Sequence, residues 1–345
     1  MQKIGVGLAS FGMSGQVFHA PLLYVNPGFE IISILERTRD LSRSRYPDAK
    51  IVRDFSDLLR DDRIELVVVN TPDRFHYEMA KEALEAGKHV VLEKPIVQDS
   101  KKGDELIALA DGKNLLLSVF QNRRWDGDFL TIRKILDKGM LGRLVEYEAH
   151  FDRYRNFIQE NTWKEDPGSG TGTLFNLGSH LIDQALVLFG KPEYVNADIR
   201  IQRTGGRVDD AFTLWLGYPD VKVTLKASYL VREPGPRYLI HGTEGSFLKH
   251  GIDPQEEALK QGALPGGPGW GMEPETEWGV LNTEIGAFHG PYETLPGNYG
   301  AYYENIYQVL TGKGKPAVTS RQANLVIQVI EAAVESNQSG NRVKL

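Results

Sequence analysis

The first 120 residues carry apolar runs that do not alternate with polar residues, and this pattern limits the chain to few architectures. The runs are Ile4–Ala9, Glu30–Leu35, Leu66–Val69, His89–Leu92 and Leu115–Phe120. They are rich in Val, Ile and Leu on every position, as strands buried on both faces must be. Helical patterns separate them. Asp73 is a candidate cap for a helix with apolar Phe75, Met79, Ala80, Ala83 and Leu84, stopped at Gly87. Asp99 or Ser100 opens another that stops near Gly112. Strand–helix alternation of this kind predicts an α/β fold built on a doubly wound parallel sheet.

The pattern changes after residue 120. A helix is expected over Gly127–Lys138, and the strands that follow alternate with period two. Val145, Tyr147, Ala149 and Phe151 alternate with Glu146, Glu148, His150 and Asp152. Phe212, Leu214 and Leu216 form a second such set, and Val221, Val223 and Leu225 a third. These read as a large, mostly antiparallel sheet with one wetter face. A helix spans Gly172–Phe189, the Gly/Pro-rich stretch Ile252–Gly300 reads mostly as loop, and helices around Tyr302–Leu310 and Arg321–Ser336 end the chain. The expected organisation is a nucleotide-binding domain over residues 1–121 and an α+β substrate and oligomerisation domain over 122–345.

Composition excludes several classes. The net charge is −6, so the basic footprint of a nucleic-acid binder is missing. There is no cysteine, hence no disulfide framework and no thiolate chemistry. No apolar run approaches the roughly 20 residues of a membrane span, and the start Met1-Gln2-Lys3 lacks a signal-peptide pattern. A cytoplasmic protein with no membrane partner is expected.

The sites lie at strand ends, where open α/β sheets bind ligands. The first strand runs into Ser10-Phe11-Gly12-Met13-Ser14-Gly15, a glycine-bearing turn suited to a pyrophosphate, with Ser10 where the usual first glycine belongs. Glu36 follows the second strand, 21 residues after Gly15, where a carboxylate would receive the adenosine ribose and favour NAD. Arg37 and Arg39 beside it suit the 2′-phosphate of NADP; the balance favours NAD. After the third strand, Thr71 and Pro72, with His76 one turn on, are candidate cofactor contacts. The fourth strand ends in Glu93-Lys94-Pro95.

Later segments add candidates. Asn176, His180 and Asp183 are spaced to share one face of an α-helix. Asn122, Arg124 and Trp125, following the last strand of the first part, suit a polyhydroxylated ring. Arg153, Tyr154 and Trp163 are further candidates for lining a substrate site. His180 with Asp183 has no further ligand at a supporting spacing, so no metal site is expected.

These residues together resemble the Gfo/Idh/MocA oxidoreductases. The resemblance rests on the glycine turn, Thr71-Pro72 with His76, Ala86-Gly87-Lys88-His89-Val90-Val91-Leu92-Glu93-Lys94-Pro95, and Gly178-Ser179-His180-Leu181-Ile182-Asp183. A narrower branch that includes scyllo-inositol dehydrogenases is similar at Val17-Phe18-His19-Ala20-Pro21-Leu22-Leu23, Asn122-Arg123-Arg124-Trp125-Asp126, Phe151-Asp152-Arg153-Tyr154-Arg155, and Pro296-Gly297-Asn298-Tyr299 with Tyr302-Tyr303. The resemblance implies a Rossmann domain and hydride transfer between nicotinamide and a cyclitol or sugar-like substrate. It also implies Lys94 and His180 as catalytic residues, Glu93 near the nicotinamide ribose, and a homodimer or homotetramer. The family's usual Asp-x-x-x-His is Asn176-Leu177-Gly178-Ser179-His180 here. Asparagine carries no charge and takes up no proton. A catalytically silent cofactor-binding regulator and an NAD-dependent glycosidase, both branches of this family, are the alternatives.

Overall fold

The computed structural model describes residues 3–160, 162, 165–168 and 170–345. In chain order its strands and helices are β1 (Ile4–Leu8), α1 (Ala20–Val25), β2 (Phe29–Leu35), β3 (Lys50–Val52), α2 (Phe55–Arg60), β4 (Leu66–Val69), α3 (His76–Glu85), β5 (His89–Leu92), α4 (Ser100–Lys113) and β6 (Leu117–Val119). There follow α5 (Gly127–Asp137), β7 (Leu144–His150), α6 (Ser179–Phe189), β8 (Tyr194–Arg200), β9 (Ala211–Gly217), β10 (Lys222–Ser228), β11 (Tyr238–Gly242), β12 (Gly245–Lys249) and α7 (Gln255–Lys260). The chain ends with β13 (Gly279–Thr283), β14 (Phe288–Tyr292), α8 (Gly300–Leu310), α9 (Ser320–Ser339) and β15 (Val343–Lys344).

Two compact units result. The first comprises Met1–Trp125 with Pro254–Trp270 and Asn298–Asn324; the second comprises Asp126–Asp253, Gly271–Gly297 and Leu325–Leu345.

In the first unit six parallel strands lie in the order β3-β2-β1-β4-β5-β6, the doubly wound arrangement expected from the apolar runs. Every residue of β4 is fully buried, as are Val90, Val91 and Leu92 of β5. Each such side chain contributes on the order of 1.5–3 kcal/mol relative to exposure, which explains why these strands tolerate no polar alternation. The Asp99 side chain accepts the Lys101 N–H at 2.8 Å and starts α4. Asp73 behaves otherwise. Its Oδ1 accepts the N–H of the adjacent Arg74, residues 73–75 form a 3-10 turn, and α3 begins at His76 with no side-chain cap.

The second unit is built on a nine-stranded sheet, β14-β13-β12-β11-β7-β10-β9-β8-β15. All its pairings are antiparallel except β7 with β10. Tyr147, Ala149, Phe212, Leu214, Leu216, Val223 and Leu225 are buried on one face, as their alternation predicts. The expected long loop over Ile252–Gly300 is corrected: it holds α7 and the β13–β14 hairpin. The hairpin escapes a sequence reading because Gly290 and Pro291 lie inside β14. As an edge strand, β14 accommodates a proline that an interior strand would exclude.

On the other face of the sheet, His150 is held between two carboxylates, with Nε2 2.7 Å from Glu148 Oε1 and Nδ1 2.9 Å from Asp152 Oδ2. Lys226 Nζ reaches Glu148 at 3.0 Å, and Asp198 and Arg200 line the same hollow. Burial pushes the His150 imidazole down, but the hydrogen bonds and charges of Asp152 and Glu148 outweigh it and hold it above its ordinary value. A raised folded-state value stabilises the fold fully below the unfolded value of about 6.5 and is lost as pH rises through the folded one. His150→Gln is therefore expected to lower the urea midpoint at pH 6. The gap to wild type should close by pH 9, and a gap independent of pH would refute the charge pairing.

Candidate functional site

The turn after β1 is built by its own side chains. Ser10 Oγ accepts the Gly12 N–H at 3.1 Å, so the serine in the first glycine position holds the turn from within. Asn70, at the end of β4, donates its Nδ2 to the Ser10 carbonyl at 2.9 Å, and Ser14 Oγ donates to the Asn70 carbonyl at 3.3 Å. Gln16 Nε2 donates to the Phe11 carbonyl at 2.8 Å. A Cβ on Gly15 would lie 2.5 Å from the Ser10 carbonyl oxygen and 2.8 Å from Asn70 Nδ2, so only glycine fits there. A Cβ on Gly12 would meet nothing closer than Ser10 Oγ at 3.4 Å, which leaves its flank open to a ligand. Asn70 Oδ1 is buried with no hydrogen-bond partner among the described residues. The open flank at Gly12 and the unused buried acceptor on Asn70 would fit a dinucleotide at this strand end. Residues Gly15–His19 form a π-turn leading directly into α1, a feature common at functional sites.

Glu36 is corrected. The sequence places it where a ribose is received, yet it is buried and its carboxylate serves its own loop. Oε2 accepts the Leu41 N–H at 2.8 Å, and Oε1 accepts the Ser42 N–H at 2.9 Å and the Ser42 hydroxyl at 2.6 Å. Arg53 holds the same loop from outside by donating to the carbonyls of Glu36 and Arg39. Arg37 and Arg39 are exposed.

His76 is likewise held by its neighbours. It is buried, and its ring spans two backbone carbonyls, Pro95 at 2.8 Å from Nδ1 and Thr71 at 3.0 Å from Nε2. The ring N–H donates to one of these carbonyls, which one depending on the tautomer, and the ring stands between Thr71-Pro72 at the end of β4 and Lys94-Pro95 after β5. The Lys94–Pro95 peptide bond is cis.

Glu93 sits in a network the sequence reading did not anticipate. His19 Nε2 lies 3.0 Å from Glu93 Oε1, His19 Nδ1 lies 2.7 Å from the Tyr303 hydroxyl, and Glu93 Oε2 accepts the Lys94 N–H at 3.0 Å. Burial raises the Glu93 carboxyl, but the hydrogen bond from His19, with the charge and N–H of Lys94, outweighs it and holds it below the usual range. His19 and Tyr303 both stand in runs that carry the family resemblance, but no spacing rule links positions 19, 93 and 303.

Around the end of β6 the candidates diverge. Trp125 packs edge-on against Tyr302, with ring centroids 5.7 Å apart. Arg124 is buried and donates to the Ala317 carbonyl at 2.6 Å and to Gln322 at 3.2 Å. Asn122 is buried within the 3-10 turn Asn122–Trp125.

In the second unit a π-turn, Leu174–Gly178, runs into α6. Asn176 lies in that turn, four residues before His180 and seven before Asp183. His180 and Asp183 are buried on α6, and the His180 ring centroid is 6.5 Å from that of Phe151. The helix start is clamped by Asp209, which sequence reasoning missed. Its Oδ2 accepts the Leu174 N–H at 2.7 Å and the Thr173 hydroxyl at 2.9 Å. Burial holds the Asp209 carboxyl above its usual range against those two bonds. Any Cβ at Gly172 would fall 1.9 Å from Asp209 Oδ1, so this clamp needs glycine. The cue in sequence was Gly172-Thr173 ahead of a helix, with no sign of a partner 36 residues away. The Arg153 guanidinium lies 5.2 Å from the Phe151 ring centre, and Tyr154 is half exposed. Trp163 lies outside the described residues. Among the described residues no group of three or more His, Cys, Asp or Glu side chains could hold a metal ion, and no helix is long and apolar enough to cross a membrane.

Comparison with known proteins agrees with this geometry. Residues 4–121 match the profile described as the oxidoreductase family, NAD-binding Rossmann fold, and residues 133–345 match the oxidoreductase family, C-terminal alpha/beta domain, of Gfo/Idh/MocA proteins. The chain is 41% identical to scyllo-inositol 2-dehydrogenase (NADP(+)) IolW of Bacillus subtilis, covering all of this chain and 97% of that protein. It is 40% identical to the uncharacterised oxidoreductase YdgJ of Escherichia coli, over 97% of this chain and 96% of the other. A crystal structure of a candidate oxidoreductase from Bacteroides fragilis superposes with a TM-score of 0.93 at 53% identity, each chain fully covered. By these matches and by the sheet order, phosphate turn and Glu-Lys-Pro strand end, the chain belongs to the Gfo/Idh/MocA family of oxidoreductases, with an NAD(P)-binding Rossmann domain.

Proposed function

We propose that this protein is an NADP-dependent dehydrogenase that interconverts an alcohol and a ketone on a cyclitol or sugar-like substrate. The observation that carries the reading is Lys94 at the carboxyl end of β5, in the same unit as the phosphate turn at the carboxyl end of β1. The nicotinamide, when bound, accepts hydride on oxidation and supplies it on reduction. The chain's own residues do the rest. Removing hydride from a carbinol carbon requires loss of the hydroxyl proton, and Lys94 Nζ and the His180 ring are the groups assigned to take it and return it. Asp209 orients His180 by fixing the start of its helix. Asn176 serves as a hydrogen-bonding amide for a substrate hydroxyl, a task that needs no charge.

The choice of NADP rests on Glu36. Its carboxylate is spent on Leu41 and Ser42, so the repulsion that would reject a 2′-phosphate is muted. Arg37 and Arg39 are exposed on a loop whose backbone Arg53 braces. Two guanidinium groups on a braced turn suit a phosphate monoester. The Bacillus relative, named for scyllo-inositol and NADP(+), supports both halves of the reading.

The test is a screen of inositols and aldoses with NADP+ and NAD+, followed at the absorbance of the reduced cofactor. Turnover of a polyol with NADP+ preferred is expected. Arg37→Ala should lower kcat/KM for NADP+ about tenfold, the loss of one charge-assisted contact, and leave NAD+ nearly unaffected. Cofactor binding without turnover of any polyol would overturn the reading in favour of a silent binder. Cofactor that copurifies without net reduction would point to a glycosidase.

A further inference from the structure

We infer that His19 and Tyr303 are positioning residues that orient the Glu93 carboxylate and keep it ionised at the end of β5. The inference rests on the proposed dehydrogenase reading for its purpose and on geometry for its content. Glu93 is acceptor-only as a carboxylate, so His19 Nε2 carries the proton across the 3.0 Å contact. The Tyr303 hydroxyl, 2.7 Å from Nδ1, then donates to it. That assignment gives every proton in the chain Tyr303–His19–Glu93 an acceptor and holds the imidazole in one tautomer. The opposite assignment would leave the Tyr303 proton facing rings. Phe29, Phe120 and Tyr302 surround that ring at centroid distances of 5.8, 6.0 and 5.3 Å. His19 and Tyr303 are fully buried, and Phe120 lies 4.6 Å from the His19 ring, so neither can swing away. Burial pushes the Tyr303 hydroxyl far up, with Tyr302 and Glu93 adding to the effect, which keeps it a donor.

The arrangement couples separate parts of the cofactor-binding unit. His19 closes the π-turn that begins at Gly15 of the phosphate turn. Tyr303 comes from α8, more than 200 residues later. Glu93 grips the Lys94 backbone N–H through its other oxygen. A shift of the phosphate turn is thereby felt at the residue preceding Lys94. The groups facing Glu93 include His19, Lys94, Tyr302 and Tyr303. Of these, His19 supplies the side-chain hydrogen bond that opposes burial.

The test is the pH dependence of NADPH binding, read by nucleotide fluorescence between pH 5 and 9. His19→Phe removes the side-chain hydrogen bond that opposes burial at Glu93 and leaves only Lys94 to do so, so ionisation needs a higher pH. The acid limb should move up by about one pH unit, and the loss of affinity should be largest at pH 5 and absent at pH 9. Tyr303→Phe removes the donor that fixes the tautomer and should move the limb the same way by less. His19→Gln, which keeps an amide donor, should restore most of the wild-type profile. An acid limb unchanged in both the Phe variants overturns the inference. So does a loss in His19→Phe that follows thermal stability equally at every pH and is not rescued by Gln. Should His19→Phe fail to fold, Tyr303→Phe decides. If wild type binds NADPH but oxidises no polyol, the dehydrogenase reading fails while this profile still tests the positioning of Glu93.

Discussion

Lys94→Ala is expected to lower kcat by about three orders of magnitude while the dissociation constant for NADPH stays within roughly threefold of wild type. General acid–base groups typically contribute 10²–10⁴-fold, and Lys94 is assigned the proton transfer. The substitution keeps what the backbone does: the residue-94 N–H still donates to Glu93 Oε2, so the strand end and its carboxylate hold their places. Lys94→Arg should not rescue turnover, because a guanidinium never gives up its proton near neutral pH. The measurement pairs steady-state rates with NADPH titration. Near-wild-type kcat in Lys94→Ala would remove the residue from the mechanism.

Gly15→Ala is expected to weaken cofactor binding by at least about a hundredfold and to lower thermal stability. The new methyl would stand 2.5 Å from the Ser10 carbonyl oxygen, and the obstacle is backbone that Asn70 pins at 2.9 Å. Either the turn moves or the helix start does, and overpacking of this kind costs about 1–3 kcal/mol before any ligand arrives. Gly12→Ala is the contrast. Its nearest neighbour would be Ser10 Oγ at 3.4 Å, an ordinary contact, so the free protein should melt as wild type does. Any loss of affinity there would come from the ligand's own approach. Calorimetric melting with NADPH titration of both variants separates the effects. Equal melting of Gly15→Ala and wild type would show that the turn is looser than the distances imply.

Much of the architecture was legible because it is written in neighbours along the chain. Strands such as Leu66–Val69 announce themselves by carrying no polar side chain, and β7 by alternating one. The position of Lys94 at a strand end followed from the same pattern. What escaped is instructive at particular residues. The π-turn ahead of α6, which carries Asn176, has no signature in the sequence. The hairpin over Gly279–Tyr292 hid behind glycine and proline that only an edge strand tolerates.

The sequence by itself determined the parallel sheet, the glycine-bearing turn after the first strand, the strand-end lysine and the family. These depend on burial periodicity and on short runs, both local properties. Tertiary structure alone decided how the polar side chains are spent. Glu36 serves Leu41 and Ser42 rather than facing outward, His76 stands between Thr71 and Pro95, and Asp209 clamps a helix begun 36 residues earlier. His19, Glu93 and Tyr303 meet across 284 residues of chain. The physical reason is that burying a polar group demands a partner with correct geometry, and the fold rather than the residue type supplies that partner.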